Sequence, residues 1–316
     1  MLRHPFLRPA LLLLASGLLA ACQPALFTGV NLVAPKATDQ VADGRMFAPG
    51  NGLALDLYLP EDVDSPPPLV VFFYGGSWRQ GERHWYAFVG QALARHGLAV
   101  AIPDYRKAPF PAFMNDAAAA VAWLEAQGPS LGYDPDRIVL MGHSAGAHIA
   151  ALLATDPQYL ARHDLSPSDL RGVIGLAGPY DFLPIRSRPL REVFGDDPAR
   201  HRASQPIAHV DGSEPPFLLL HGHDDRLVEP GNSTRLAERL RAHGVAVEVH
   251  LLPDTGHAGL ALLLARPAGR GRAILVALVD FASQVKSRSG AGSVPHHRYG
   301  SAPPSPHALG RGNTNP

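Results

Sequence analysis

Ile138-Val139-Leu140-Met141-Gly142-His143-Ser144-Ala145-Gly146-Ala147-His148 is the stretch on which the fold of this 316-residue chain turns. Its first four residues are a continuous apolar run, the pattern of a strand buried on both faces. The Ala-rich segment after it, about 145–155, reads as a helix. Between the two stands Gly142-x-Ser144-x-Gly146. The glycines allow a sharp turn, and a strand–turn–helix setting lifts a Ser hydroxyl above the sheet as a nucleophile elbow. The helix beginning there favours negative charge at its N-terminal amides. The pattern alone is weak, matched by chance in roughly one such chain in six. A glycine-bounded turn with a passive Ser is the competing reading, and the strand–helix context weighs against it.

Outward from the elbow, short apolar runs recur at Leu69–Tyr74, Leu98–Ile102, Val173–Leu176, Phe217–Leu220 and Val247–Leu252. Helical stretches lie between them, at about 83–95, 115–127, 232–243 and 259–284. Such alternation predicts an α/β fold, a mostly parallel sheet flanked by helices. Arg45–Ala48 and Leu53–Leu59 flank Pro49-Gly50-Asn51-Gly52 and predict an N-terminal β-hairpin. Residues 179–213 break the rhythm. Their Phe182, Leu183, Ile185, Leu190, Val193 and Phe194 suit a lid or acyl-pocket wall, and a solvated crossover is the alternative. Residues 287–316, poor in large apolar side chains, read as a disordered tail.

Composition excludes several classes. With 28 Lys+Arg against 28 Asp+Glu, no basic stripe for nucleic acid is expected. The single Cys rules out an intramolecular disulfide framework. That thiol, Cys22, ends an N-terminus with Arg3, His4 and Arg8 followed by an apolar run, Ala10–Ala21. The run is too short to span a bilayer, which takes roughly 20 residues, and has the anatomy of a secretory signal.

A free Ser hydroxyl needs a base and an orienting carboxylate. In this architecture the chain order is Ser, acid, His. Leu218-Leu219-Leu220-His221-Gly222-His223-Asp224-Asp225 sets two carboxylates just past a strand, and Pro253-Asp254-Thr255-Gly256-His257 delivers a histidine after the next. Both loops leave C-terminal strand edges, where open α/β sheets build their sites. Ser144, Asp225 and His257 satisfy order and placement together, with Glu229 a distant third choice of acid.

Four separated motifs carry a family resemblance over about residues 45–285. Tyr74-Gly75-Gly76-Ser77-Trp78 is similar to an HGG-x-W oxyanion motif, and Asp104-Tyr105-Arg106-Lys107-Ala108-Pro109 resembles a DYRLAPE stretch. Gly142–Gly146 matches a GxSAG elbow, and His221–Val228 resembles HGxxDxxV. The chain thus resembles α/β-hydrolases of the hormone-sensitive-lipase and carboxylesterase type. The resemblance implies a serine esterase without cofactor, with Asp225 rather than Asp224 as the acid. It implies an oxyanion hole at Gly76, Ser77 and Ala145, with Gly75 beside them, and a small-molecule ester as substrate. Ala147-His148 resembles subgroups acting on prenylcysteine methyl esters and formylkynurenine. Tyr74 in place of His and Lys107 in place of Leu are departures from the pattern. Leu19-Ala20-Ala21-Cys22 resembles a bacterial lipobox. It implies a signal peptide over 1–21, lipidation of Cys22, a tether over 22–43 and a hydrolase domain over 44–286. The membrane would then be the protein's partner through that anchor, in the bacterial envelope, with Gln23 favouring an outer membrane.

Other classes remain open on the sequence: a peptidase, amidase or formamidase of the same fold, and a non-catalytic surface lipoprotein. His221-x-His223-x-Asp225 also overlaps the start of a metallohydrolase motif. Arg226 stands where its next His belongs, so no metal ligand is assigned. His143 and His148 read as packing residues that hydrogen-bond locally.

Overall fold

The computed structural model describes residues 27–284 apart from 37, 39, 40, 266 and 267. The expected signal peptide, Cys22 and the tail over 287–316 lie outside those residues. One eight-stranded sheet runs through the domain in the order β1-β2-β4-β3-β5-β6-β7-β8. β1 (Val41–Ala48) and β2 (Leu53–Tyr58) form the expected antiparallel hairpin across a 3₁₀ turn at Pro49–Asn51. β2 runs antiparallel to β4 (Ala99–Pro103). From there β4, β3 (Pro68–Phe73), β5 (Asp134–His143), β6 (Leu170–Leu176), β7 (Phe217–Gly222) and β8 (Val247–Leu252) are parallel.

The unbroken apolar runs belong to strands covered on both faces. Leu69 to Phe73 in β3 are fully buried. Edge strand β8 instead has partly exposed or exposed positions throughout, up to buried Leu252. Helix α2 (Ala87–Ala94) packs on β4, α3 (Ala112–Leu131) and α4 (Ala145–Thr155) on β5, α7 (Gly231–Ala242) on β8 and α9 (Arg270–Ser283) on β3 and β6. All eleven residues of α4 are buried. Its alanines let the helix lie close to the sheet, and Ile149, Leu152 and Leu153 each contribute roughly 1.5–3 kcal/mol on burial.

Two stretches differ from the sequence expectations. The helix expected over 259–284 is two, α8 (His257–Leu262) and α9, with Gly269 at φ +53° just before the second. Within the expected tether, residues 27–33 form a helix, α1, docked on the domain. Phe27 is buried there, and Asn31 donates to the carbonyls of His84 and Trp85 while accepting from the Phe88 amide. Such a dock is invisible to periodicity because its partners lie more than fifty residues away. In the 179–213 excursion, which shows no clear strand in sequence, α5 (Arg188–Phe194) and α6 (Pro198–Ala203) form two short helices. Phe182 and Phe194 pack with Trp78 and His148, behind the 75–78 loop.

Candidate active site

Ser144 sits between β5 and α4 at φ +56° and ψ −120°, a conformation strained for a residue with a Cβ. The strain is held by backbone bonds: the Ser144 amide donates to Leu176 O at 2.8 Å, and its carbonyl accepts from the His148 amide at 3.1 Å. Both elbow glycines are sterically required. A Cβ on Gly146 would collide with the Phe73 carbonyl, and one on Gly142 with the backbone of Gly146.

The three residues separated by up to 113 positions meet at this turn. His257, the first residue of α8, places Nε2 2.8 Å from Ser144 Oγ and Nδ1 2.7 Å from Asp225 Oδ2. Asp225 follows the end of β7, and Gly222 lets the His257 loop lie directly against that strand, since a Cβ there would strike the Thr255 carbonyl. The other Asp225 oxygen, Oδ1, accepts the amides of Leu227 and Val228, each at 2.9 Å. Burial opposes ionisation of Asp225, but hydrogen bonds from His221 and His257 outweigh it and hold the carboxyl well below the usual carboxylate range. At neutral pH an ionised acceptor therefore faces His257 Nδ1. Nδ1 must then carry the proton, which leaves Nε2 free to accept one from Ser144.

The 75–78 loop closes over the elbow. Gly76, Ser77 and Trp78 all have positive φ, at +138°, +52° and +59°. Gly76 has no alternative residue, because a Cβ would run into the Gln80 carbonyl. Gly75, Gly76 and Ser77 line one cleft with Ser144 and His257, and Ala145 heads α4 directly after the Ser. Trp78 anchors the loop: its indole N–H donates to His148 Nδ1 at 3.2 Å, and His148 Nε2 donates to the Ser204 carbonyl at 2.7 Å. Burial pushes His148 down to about 4, so it stays neutral and can accept.

The two departures from the family pattern meet each other behind this loop. Lys107 Nζ donates to Tyr74 Oη at 2.6 Å, and Tyr74 donates on to Asp104 at 3.1 Å. The ammonium also lies 4.9 Å from the Tyr74 ring centre. Asp104 and Asp56 both accept from Arg83, which ties the segment carrying Trp85 and Tyr86 to the sheet.

Phe27, Trp85, Tyr86, Leu227 and Ala258 complete the cleft, and sequence reasoning did not single them out. Leu227 falls inside the HGxxDxxV stretch, which is the one signal that pointed toward it; nothing local marks Phe27. His143, read as a packing residue, also lines the cleft. Its Nε2 donates to the His257 carbonyl at 3.2 Å and its Nδ1 accepts from Tyr86 at 3.1 Å. Burial, with His257 nearby, pushes it down to about 3.

The metal reading has no geometric basis, because β7 ends at Gly222 and the turn after it carries His223 away from His221. His221 is buried, while the His223 side chain is 72% exposed beside Asp224. Among the described residues no cluster of three or more His, Cys, Asp or Glu suits a metal ion.

Comparison with known proteins places this geometry in context. The BD-FAE family model matches residues 55–240. A probable isoprenylcysteine alpha-carbonyl methylesterase of Arabidopsis thaliana is 33% identical over 66% of this chain and 49% of its own length. Esterase LipC of Mycobacterium tuberculosis is 34% identical over 64% of this chain and 56% of its own. The chain thus spans about half the length of the curated relatives it matches. A thermophilic esterase of Thermogutta terrifontis, Est2, superposes with a TM-score of 0.63 at 25% identity, covering 76% of this chain and 90% of that one.

Proposed function

The chain belongs to the BD-FAE family, on an α/β-hydrolase fold, and from that membership we propose that it is a serine hydrolase of carboxylic esters. The observation that carries this reading is the relay from Asp225 through His257 to Ser144, at 2.7 and 2.8 Å. Ser144 attacks the ester carbonyl while His257 Nε2 takes the hydroxyl proton and returns it to the departing alcohol. Water, activated by the same imidazole, then hydrolyses the acyl-enzyme. Amides of Gly76, Ser77 and Ala145 are assigned to the developing oxyanion, a contribution of roughly 3–4 kcal/mol per donor where such holes have been dissected. The esterases among the relatives support ester substrates.

A fluorophosphonate probe and p-nitrophenyl esters of increasing acyl length test the assignment. The wild-type protein should label at Ser144 and turn over the esters. Ser144→Ala should neither label nor retain more than about a thousandth of the rate, while its circular dichroism is unchanged. Unlabelled wild-type protein would overturn the reading.

We further propose that Cys22 is acylated and holds the domain to a membrane. The support is the lipobox-like Leu19–Cys22 and its unique thiol. Four residues lie between Cys22 and Phe27 at the cleft, and the five steps span at most about 18 Å. An anchor there would keep the site near lipid-borne esters. Cys22→Ser should abolish lipidation and leave an uncleaved precursor; an unmodified Cys22 in the mature native protein, seen by mass spectrometry, would refute the anchor.

A further inference from the structure

Two imidazoles converge on one oxygen of the candidate triad acid. Asp225 Oδ2 lies 2.7 Å from His257 Nδ1 and 3.2 Å from His221 Nε2. The His221 side chain is wholly buried, at the end of β7 and four residues before the carboxylate. Its Nε2 also faces the Val228 carbonyl at 3.0 Å. With two acceptors in front of it and no donor, Nε2 must carry a proton. The opposite ring nitrogen, Nδ1, is 2.8 Å from Ser233 Oγ, a fully buried hydroxyl in the first turn of α7. The ring is therefore fixed at both ends. It bridges the acid loop and α7: its N–H donates to the Val228 carbonyl, and the oxygen that His257 uses stands 3.2 Å from the same nitrogen.

We propose that His221 is a positioning residue for the triad: its N–H fixes the direction of Asp225 Oδ2 and shares that oxygen's charge with His257. This rests on the serine-hydrolase reading above. The two backbone amides on Oδ1 leave the carboxylate free to pivot about that oxygen, whereas a donor on Oδ2 from the side away from His257 stops the pivot. The groups facing the carboxylate are His221 and His257, with His143 beyond the latter at 4.9 Å between ring centres. Asp224 and His223 pair with each other on the exposed side, and Glu229 pairs with Arg235. None of these four supplies a substitute donor.

The role has a consequence that mere packing would lack. With the His221 donor gone, the carboxylate keeps more of its charge for His257 and holds a protonated imidazole more strongly. His257 then serves as a base only at higher pH. His221→Leu should lower kcat roughly tenfold to a hundredfold, the range expected for a hydrogen bond to a charged group. KM should change little, and the acid limb of the kcat/KM profile should move to higher pH. His221→Gln, whose amide N–H reaches the position of Nε2, should recover most of the rate and the wild-type limb. Ser233→Ala should shift the limb in the same direction by less, and it serves where the Leu variant fails to fold. An acid limb unmoved in every folded variant, or a Gln variant no better than Leu, would overturn the proposal. Failure of the underlying reading shows separately, as wild-type protein that neither labels with fluorophosphonate nor cleaves esters.

Discussion

Asp224 and Asp225 are neighbours in the chain with opposite surroundings. The Asp225 side chain is fully buried, with two amides on one oxygen and two imidazoles on the other. Asp224 is 58% exposed and touches only His223 among charged groups. One loop cannot turn both carboxylates toward the same imidazole, and the amides of Leu227 and Val228 select the second. Asp225→Asn should keep the fold but present His257 with the wrong hydrogen-bonding partner. A loss in kcat of about 10⁴-fold is expected, by analogy with the same change in a serine protease triad. Asp224→Asn should stay within about threefold of wild type, as for an exposed side chain. Steady-state kinetics on a short p-nitrophenyl ester decide between the two, and the reverse ranking would move the acid to Asp224. The HGxxDxxV spacing already pointed to Asp225. What it lacked was the reason, which is the set of donors that only the folded loop assembles.

At the scale of elements, α1 and the 83–86 segment build one wall of the cleft together. Phe27 lies 4.8 Å from Tyr86 and is stacked near Trp85 and Phe88, at 6.4 and 6.1 Å between ring centres. Asn31 clamps the helix to the same segment. An isolated seven-residue helix is unstable in water, so this one persists through its docking. Phe27→Ala should remove apolar wall without touching Ser144 or His257. We expect kcat/KM for a decanoyl ester to fall about tenfold, the loss of one buried apolar contact, with the acetyl ester almost unchanged. Equal losses on both esters would show that α1 serves stability alone. The 179–213 excursion acts at another place, behind the 75–78 loop, where Phe194 is fully buried against Trp78. Its aromatic residues were legible as apolar; their destination was not, because nothing in a local pattern says which face of the domain a crossover will cover.

For the molecule as a whole, the buried imidazoles set an acid limit on stability. His143 and His148 are held near 3 and 4, mainly by burial, against 6.5 for a free imidazole. As pH falls below 6.5 the unfolded chain takes up protons that the folded one refuses. Their contribution is complete above about 6.5 and is lost as pH falls toward 4. Asp56 works in the opposite sense. Burial and its contact with Asp43 push it up to about 6, so between 3.8 and 6 the folded state holds the extra proton. Two imidazoles outweigh one carboxyl, and thermal unfolding followed by circular dichroism should show a lower midpoint at pH 4.5 than at pH 7. A midpoint that rises on acidification would contradict this balance. The same molecule shows where sequence suffices. Strand runs, the glycine-flanked Ser144 and the order Ser144, Asp225, His257 were all legible, because burial on two faces and a sharp turn impose their residue types locally. The docking of Phe27, the tie from Trp78 through His148 to Ser204, and the second imidazole on Asp225 were settled only by the tertiary structure. Those contacts depend on where a side chain points after folding, toward partners brought close by the sheet, and residue type alone carries no record of that direction.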